Sequence, residues 1–490
     1  MRQVSIVLAL GMLAGCAGET ASSATGGGIT SAEDPPDTGA LDPSTGGPSL
    51  PTTDGSTTTA DVSTGADTTT SGGPTTGEVD PATSGEVQTT GEASTTGTTD
   101  DSTTGGPPPV LPWAPKPCPA IYAQDLLPTF EIELGADELA ALEEEWLIAD
   151  DTKLSEHAVK SFKYENVVIT DATVRLRGNA SHWPEQNKMQ FEFSFDTNDP
   201  EGRFLGLKRV LLDAATFNRS FLRDRLALAI MRDAGVAAPC ANNARLVLNG
   251  DYYGLFTNLE KVNKQFLKRN FENPDGNLYK RRGTKLGWER KTNEEDLDLS
   301  DITALKAADD LSELQAVMNL DQALLEWAAE AVVPNRDGAW AGGLNLYVYN
   351  DPLTGFNVIP WDLDDSFTRL PYDTDPYTYQ KPPEVFWGRP FYEIATADPV
   401  WFAKYIDAID HVVHTAYDVT VLQDRIDTWA AQIATAAAED KNKPFSTSEH
   451  IEQVANKRSL VAKRAAFLDK WLKCWKEGGT KGGDGKCVPG

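Results

Sequence analysis

Apolar and polar residues alternate along much of the first half of this chain. Residues 188–195 put Met189, Phe191, Phe193 and Phe195 on one face and Lys188 on the other, the period of two expected of a β-strand. Residues 130–134, 167–169, 172–177 and 204–212 carry shorter runs of the same kind, and 276–280 reads as a brief strand. Residues 244–256 are interrupted by Asn249-Gly250, which predicts a hairpin. Helical spacing takes over at 137–146, at 264–271 and at 220–234. In the last of these, Leu222, Leu226, Ile230 and Met231 share a face and Gly235 stands just past the end. Residues 286–320 are polar and helical, and helical patterning then runs from Phe391 to Trp475. Antiparallel strands with interspersed helices, followed by a helical half, define an α+β class.

One stretch, residues 335–367, breaks this pattern in an informative way. A helix-like run ends at Val333 before Pro334, which cannot continue a helix. A loop follows with Asp337, then a strand opening at Asn345, a turn at Asp351-Pro352-Leu353-Thr354-Gly355, and a strand ending at Asp362. A loop of residues 352–355 would pair Asn345 directly with Asp362 on one face, roughly 5 Å apart at Cβ. An amide oxygen and a carboxylate so placed suit Mg²⁺, which takes oxygen ligands. A register one residue away would set Asn345 opposite Trp361 and turn Asp362 to the other face.

Composition divides the chain. Residues 1–16 read as a signal segment: Arg2, an apolar run, then Leu13-Ala14-Gly15-Cys16. That box resembles the bacterial lipobox, making Cys16 the expected lipidation site and the membrane an expected partner through a lipid anchor. Residues 17–112 hold 14 acidic residues, no Lys or Arg, and repeated Ser/Thr-Thr-Gly units. Such a segment cannot bury enough surface to offset its ordering entropy and is expected to be a disordered tether, with an r.m.s. span of roughly 50–60 Å. A folded domain is expected over 113–475 and a flexible Gly/Lys-rich tail over 476–490. The formal net charge of −29 argues against nucleic acid as the main partner. Apart from Cys16 there are four cysteines, which suggests two disulfides in an exported protein. Cys118–Cys240 with Cys474–Cys487 is one of three connectivities. His411 and His414 stand three apart on a helix, a spacing that permits either a metal pair or plain packing.

Phosphate chemistry has a first hint in residues 178–181, Gly-Asn-Ala-Ser between two strands, with Lys188 opening the second strand. Main-chain N–H groups of such a turn can face phosphate oxygens, and a lysine adds a point charge.

Several motifs, in this order, carry a resemblance. Arg175-Leu176-Arg177-Gly178-Asn179-Ala180-Ser181, Lys188, Phe204-Leu205-Gly206-Leu207 and the Arg223 helix are followed by Leu248-Asn249-Gly250-Asp251-Tyr252-Tyr253-Gly254-Leu255. Glu260-Lys261-Val262, Gly276-Asn277-Leu278-Tyr279-Lys280 and Ile359-Pro360-Trp361-Asp362-Leu363-Asp364 complete the set. Together they resemble the CotH kinase family of spore-coat proteins over roughly residues 120–470. The resemblance implies an atypical protein-kinase-like fold that uses ATP and Mg²⁺ to phosphorylate serine or threonine hydroxyls of exported or surface proteins. By position it implies Asp337 as the catalytic aspartate and Asn345 and Asp362 as Mg²⁺ ligands. It also implies Lys188 as a phosphate contact with Glu260 as its ion-pair partner, and Arg177 and Lys280 as nucleotide-pocket residues. Ordinary protein kinases set Asp and Asn five residues apart ahead of Asp-Phe-Gly. Here the separation is eight, Asp362 is followed by Leu363-Asp364, and no G-x-G-x-x-G loop occurs. The alternative reading is a non-catalytic surface-binding module on the same fold, with the Tyr/Pro-rich residues 372–379 as a lid or contact surface.

Overall fold

A computed structural model describes residues 116–148, 154–177, 188–282, 287–380 and 389–490. The expected signal segment with Cys16, the tether and the 178–181 turn lie outside them. The first part contains β1 (Thr129–Leu134), α1 (Ala136–Ile148), β2 (His157–Tyr164), β3 (Val167–Ile169), β4 (Thr173–Leu176), β5 (Phe191–Ser194), β6 (Arg209–Asp213), α2 (Arg223–Asp233), β7 (Ala241–Leu248) and β8 (Asp251–Leu259). Its strands form one eight-stranded sheet in the order β1-β7-β8-β6-β5-β4-β2-β3, and β1 also pairs with β2. That extra pairing closes the sheet on itself, leaving β3 as a flange. Closure removes the unpaired edges an open sheet would expose. Only β1 and β7 run parallel; the other neighbours are antiparallel.

Phenylalanine fills the interior. The Phe162 ring lies 5.3 Å from Phe130, 5.3 Å from Phe193, 5.0 Å from Phe195 and 5.0 Å from Phe204. These are edge and tilted packings at centroid distances that favour aromatic pairs. The Asn249-Gly250 turn forms as expected, with φ of 51° and 89°. Its Asn249 side chain also accepts the Leu134 N–H at 2.8 Å, which pins the hairpin to β1.

The second part contains α3 (Lys264–Asn270), β9 (Asn277–Arg282), β10 (Gly287–Arg290), α4 (Ser300–Ala307), α5 (Leu311–Val317), α6 (Leu320–Val332), α7 (Ala339–Gly342), β11 (Leu346–Asp351) and β12 (Gly355–Pro360). Helices α8 (Pro390–Ala397), α9 (Pro399–Ala416), α10 (Val419–Glu439) and α11 (Thr447–Lys476) follow, and β13 (Thr480–Lys481) pairs with β14 (Cys487–Val488). A four-stranded sheet of order β10-β9-β11-β12 packs on α6, and α6 packs on α9 within the larger of two hydrophobic cores. The chain is thus an α+β protein. Among the described residues no helix is long and apolar enough to cross a membrane.

Arg464 of α11 is fully buried and donates to the carbonyls of Tyr372 at 2.8 Å, Thr374 at 2.6 Å and Ala331 at 2.7 Å. Trp340 and Tyr405 both donate to Pro376 O. The Tyr/Pro-rich loop expected as a lid is therefore pinned from three sides, because its carbonyls satisfy buried donors. His411 and His414 form no pair; their rings bond the Ala234 and Asp410 carbonyls instead.

The disulfides are Cys118–Cys240 and Cys474–Cys487. The first spans 122 residues and staples the start of the folded domain to β7. A loop of that length is worth about 4–5 kcal/mol in the chain-entropy description. Cys118→Ser/Cys240→Ser is expected to lower the urea midpoint clearly, whereas Cys474→Ser/Cys487→Ser, closing a 13-residue loop, should lower it less. Equal midpoints for the two variants would contradict this.

Candidate functional site

The hairpin β11–β12 closes with Asp351 opposite Gly355 and Leu346 opposite Pro360. Trp361 N donates to Asn345 O at 3.1 Å. The expected direct pairing of Asn345 with Asp362 does not form. The turn is the three residues 352–354, and Gly355, at φ +84°, follows it opposite Asp351, so the hairpin closes one position tighter. On a regular pleat that register would send Asp362 to the far face. The pleat ends first: Asn345 has φ +45° and Asp362 φ +58°. Both residues leave the alternation, and each side chain is linked to Asp337 instead. Asn345 Nδ2 donates to Asp337 Oδ2 at 3.1 Å, and Asp337 lies close enough to raise the pKa of Asp362.

Opposite this trio the closed sheet contributes Asp213, the last residue of β6, and Arg177, just after β4. Arg177 Nη1 donates to Asp213 Oδ2 at 2.8 Å. Its guanidinium stands 6.0 Å from the Trp361 ring centroid. From β9, the Lys280 ammonium lies 5.3 Å from Trp361 and 5.6 Å from Tyr347. Asp224, on α2, and Asp364 complete the acidic side; Arg223 Nη1 holds the Asp364 main-chain oxygen at 3.0 Å. The centre therefore lies between the two sheets, with cations and carboxylates drawn from both.

Its electrostatics are those of an acid-rich pocket short of positive charge. Burial, then Asp213 and Asp337, push Asp362 up to about 6 against the pull of Arg177 and Lys280. Burial and the Asp213 and Asp362 charges push Asp224 up to about 8, and the same causes, with Asp362 foremost among the charges, raise Asp364. Burial and Lys261 bring Lys280 down to about 8 despite Asp362. Burial works against the Arg177 charge, but Asp213 and Asp362 outweigh it. Asp224 Oδ2 is buried with no hydrogen-bond partner among the described residues. An orphaned carboxylate oxygen, several neighbouring carboxylates and an amide side chain make an oxygen-rich donor set of the type that suits Mg²⁺. Among the described residues the carboxylates of this cluster do not by themselves close around one point; the trio that does, Asp309, Asp310 and Glu313, is exposed. That fits a cation that keeps several of its ligands from water or substrate phosphates.

Lys188 and Glu260 sit elsewhere. Lys188 is fully buried, its ammonium 2.8 Å from Asp440 Oδ2, donating also to Leu255 O and lying 4.2 Å from the Phe256 ring centroid. Glu260 pairs with Arg269 and accepts the Cys240 N–H at 2.9 Å. The expected Lys188–Glu260 ion pair is thus corrected to Lys188–Asp440 and Arg269–Glu260. The cause is local: Lys188 precedes β5 rather than standing on it, so its side chain turns inward instead of to the outer face of the sheet.

Asp213, Asp224 and Asp440 were not singled out by the sequence. Asp213 carried the same signal as Asp362, an acid closing an apolar strand. Asp224 was a lone acid on a helix with every residue from Arg223 to Met231 buried. Asp440 carried no local signal.

The fold and this site define an α+β protein with a half-buried, acid-rich centre flanked by lysine and arginine. The sequence profile of the CotH kinase protein family matches residues 174–468, and the chain belongs to that family. It is 29% identical over 225 residues to the inner spore coat protein H of Bacillus subtilis (strain 168), covering 41% of this chain and 59% of that protein. The aligned part thus spans less than two thirds of that relative's length.

Proposed function

We propose that this chain is a Mg²⁺-dependent phosphotransferase of atypical protein-kinase-like fold. In this reading it moves the γ-phosphate of ATP to serine or threonine hydroxyls of exported or surface proteins, and it is held at the membrane by a lipid on Cys16. The observation that carries the reading is the gathering of Asp337, Asn345 and Asp362 near Arg177 and Lys280 at one half-buried centre. Family membership supports it.

Phosphoryl transfer needs positioning and charge neutralisation more than covalent chemistry. Bound Mg²⁺ would supply neutralisation across the phosphate oxygens, held by Asp362, Asn345 and, from the facing sheet, Asp213. Arg177 and Lys280 would contact phosphate oxygens; a phosphate beside Lys280 would restore the proton that burial loosens. Asp337 would accept the hydroxyl hydrogen bond and orient the attacking oxygen. The Trp361 ring, close to both cations, would keep water from that side. Labelled phosphate passing from ATP to protein in the presence of Mg²⁺, and lost in Asp337→Ala, tests the assignment. Undiminished transfer by Asp337→Ala removes that residue's role.

A pH-dependent response to Mg²⁺ follows. Asp362, at about 6 in the folded chain, lies above its unfolded value of about 3.9. Below that unfolded value it is neutral in both states and contributes nothing. Between the two values the unfolded chain ionises first, so folding loses stability; above about 6 the loss stays constant. Asp224, at about 8, extends the window upward. A divalent cation offsets the repulsion only where the carboxylates are ionised. The rise in Tm on adding Mg²⁺ is therefore expected to be larger at pH 8 than at pH 5, and to be abolished in Asp362→Asn. An equal rise at both pH values would contradict the site.

A further inference from the structure

Two glutamates lie behind the Asp337 loop, and the chemistry above does not use them. Glu326 and Glu330 are one turn apart on α6, and both are fully buried. Two buried carboxyls that close cannot both be ionised. Burial and the Glu330 charge raise the Glu326 pKa well above the usual range. Glu330 then faces the loop as the acceptor. Its Oε2 takes the Trp340 N–H at 2.8 Å; burial pushes the Glu330 carboxyl up to about 7, against the pull of the Trp340 and Ala339 N–H groups and the Asn335 side chain. Its main-chain oxygen takes the Asn335 N–H at 3.2 Å. Asn335 Oδ1 in turn accepts the Asp337 N–H at 3.3 Å.

Residues 335–340 are therefore wrapped around one carboxylate, with Asp337 at the apex. The fit leaves no room for a side chain at Gly338: a Cβ there would fall 2.2 Å from Glu330 Oε2 and 2.4 Å from Asn335 Nδ2. Gly338 has φ of −109°, so its small size serves this contact and not an unusual backbone. A buried acid costs stability unless hydrogen bonds compensate it. Here the compensation comes from the main chain of the loop that carries Asp337.

We propose that Glu330, through its contact with the Trp340 N–H and its close fit against Gly338, is the positioning residue that sets where Asp337 points. The proposal rests on the reading of Asp337 as the residue that orients the acceptor hydroxyl. Glu330 touches neither nucleotide nor cation. Its loss misplaces Asp337 and leaves the rest of the centre intact.

The test uses the full-length chain and three variants. Glu330→Gln presents an amide N–H₂ to main-chain donors and breaks the fit. Glu326→Gln removes the neighbouring acid and leaves the Glu330 contact with the Trp340 N–H in place. Gly338→Ala pushes the loop off the carboxylate from the other side and serves if Glu330→Gln does not fold. Glu330→Gln and Gly338→Ala are expected to lower kcat about 10²-fold, the scale of a 1 Å misplacement, with KM for ATP and Mg²⁺–ATP affinity unchanged. Glu326→Gln should retain most of the kcat. Amide hydrogen exchange of residues 335–343 should quicken in the first two variants and not in the third. An unchanged kcat in Glu330→Gln, or an equal loss of kcat and nucleotide affinity, overturns the proposal. Should the wild-type chain transfer no phosphate, the kinase reading fails by itself. The exchange measurement still decides, because slow exchange retained in Glu330→Gln and Gly338→Ala overturns the positioning role.

Discussion

Asp362→Ala is expected to give a folded chain whose phosphate transfer falls on the order of 10³-fold, the loss seen when a preorganised charge-stabilising group is removed. The direction of its effect on stability separates this from simple damage. Asp362 sits among Asp213 and Asp337, and burial with those charges raises its pKa to about 6. At neutral pH the ionised group therefore works against folding. Removing it should leave Tm equal or higher without Mg²⁺, and should abolish the rise in Tm that Mg²⁺ brings. Asp362→Asn, of the same shape, should behave alike. Loss of activity accompanied by a lower Tm would mean that Asp362 holds the fold. Retained activity in the folded variant would mean that the centre lies elsewhere.

Asp440→Ala is expected to be the most damaging substitution for stability, costing about 3–5 kcal/mol, because it strands a buried ammonium. Lys188 cannot reach water from its place against Phe221 and Phe256. Burial already lowers its pKa, with Asp440 as the main opposing charge. Asp440 also joins distant parts of the chain. It follows α10, accepts the Leu255 N–H at 3.0 Å and the Asn442 and Lys443 N–H groups at 3.0 Å each. A side chain at Gly254 would come within 2.8 Å of its oxygens. Lys188→Met should cost less, since Asp440 keeps these main-chain donors and the ammonium is gone. Urea unfolding at pH 7 reads both. An Asp440→Ala midpoint at or above that of Lys188→Met would contradict the account.

These contrasts show what could be read from the residues alone. Strands with strict alternation, such as 191–194, and the Asn249-Gly250 hairpin were legible because side-chain period and turn chemistry are local. The β2 strand was not. A shift in register opposite Glu133 and Leu134 sets its buried Val159 and Phe162 three apart, which hides the period of two. The Tyr/Pro-rich loop looked like a lid because its composition is that of an exposed segment, while the donor that pins it, Arg464, lies about ninety residues on. In the candidate site, Asp337, Asn345 and Asp362 were legible as residues, and their meeting was not. The hairpin register argued against it, and positive φ at both strand ends takes Asn345 and Asp362 out of the pleat, Asn345 onto Asp337 and Asp362 within reach of its charge. The Lys188 partner was invisible for a different reason. Asp440 stands 252 residues away, and neither residue carries a mark of the other.

The central claim is that the cluster between the two sheets binds Mg²⁺ and the phosphates of a nucleotide. Calorimetric titration of Mg²⁺–ATP into the wild-type chain at pH 7.5 tests it most directly. A saturable isotherm with one nucleotide per chain is expected, lost when Mg²⁺ is withheld and lost in Asp362→Ala. A folded wild-type chain that gives no heat of binding and no protection against thermal unfolding by Mg²⁺–ATP would contradict it.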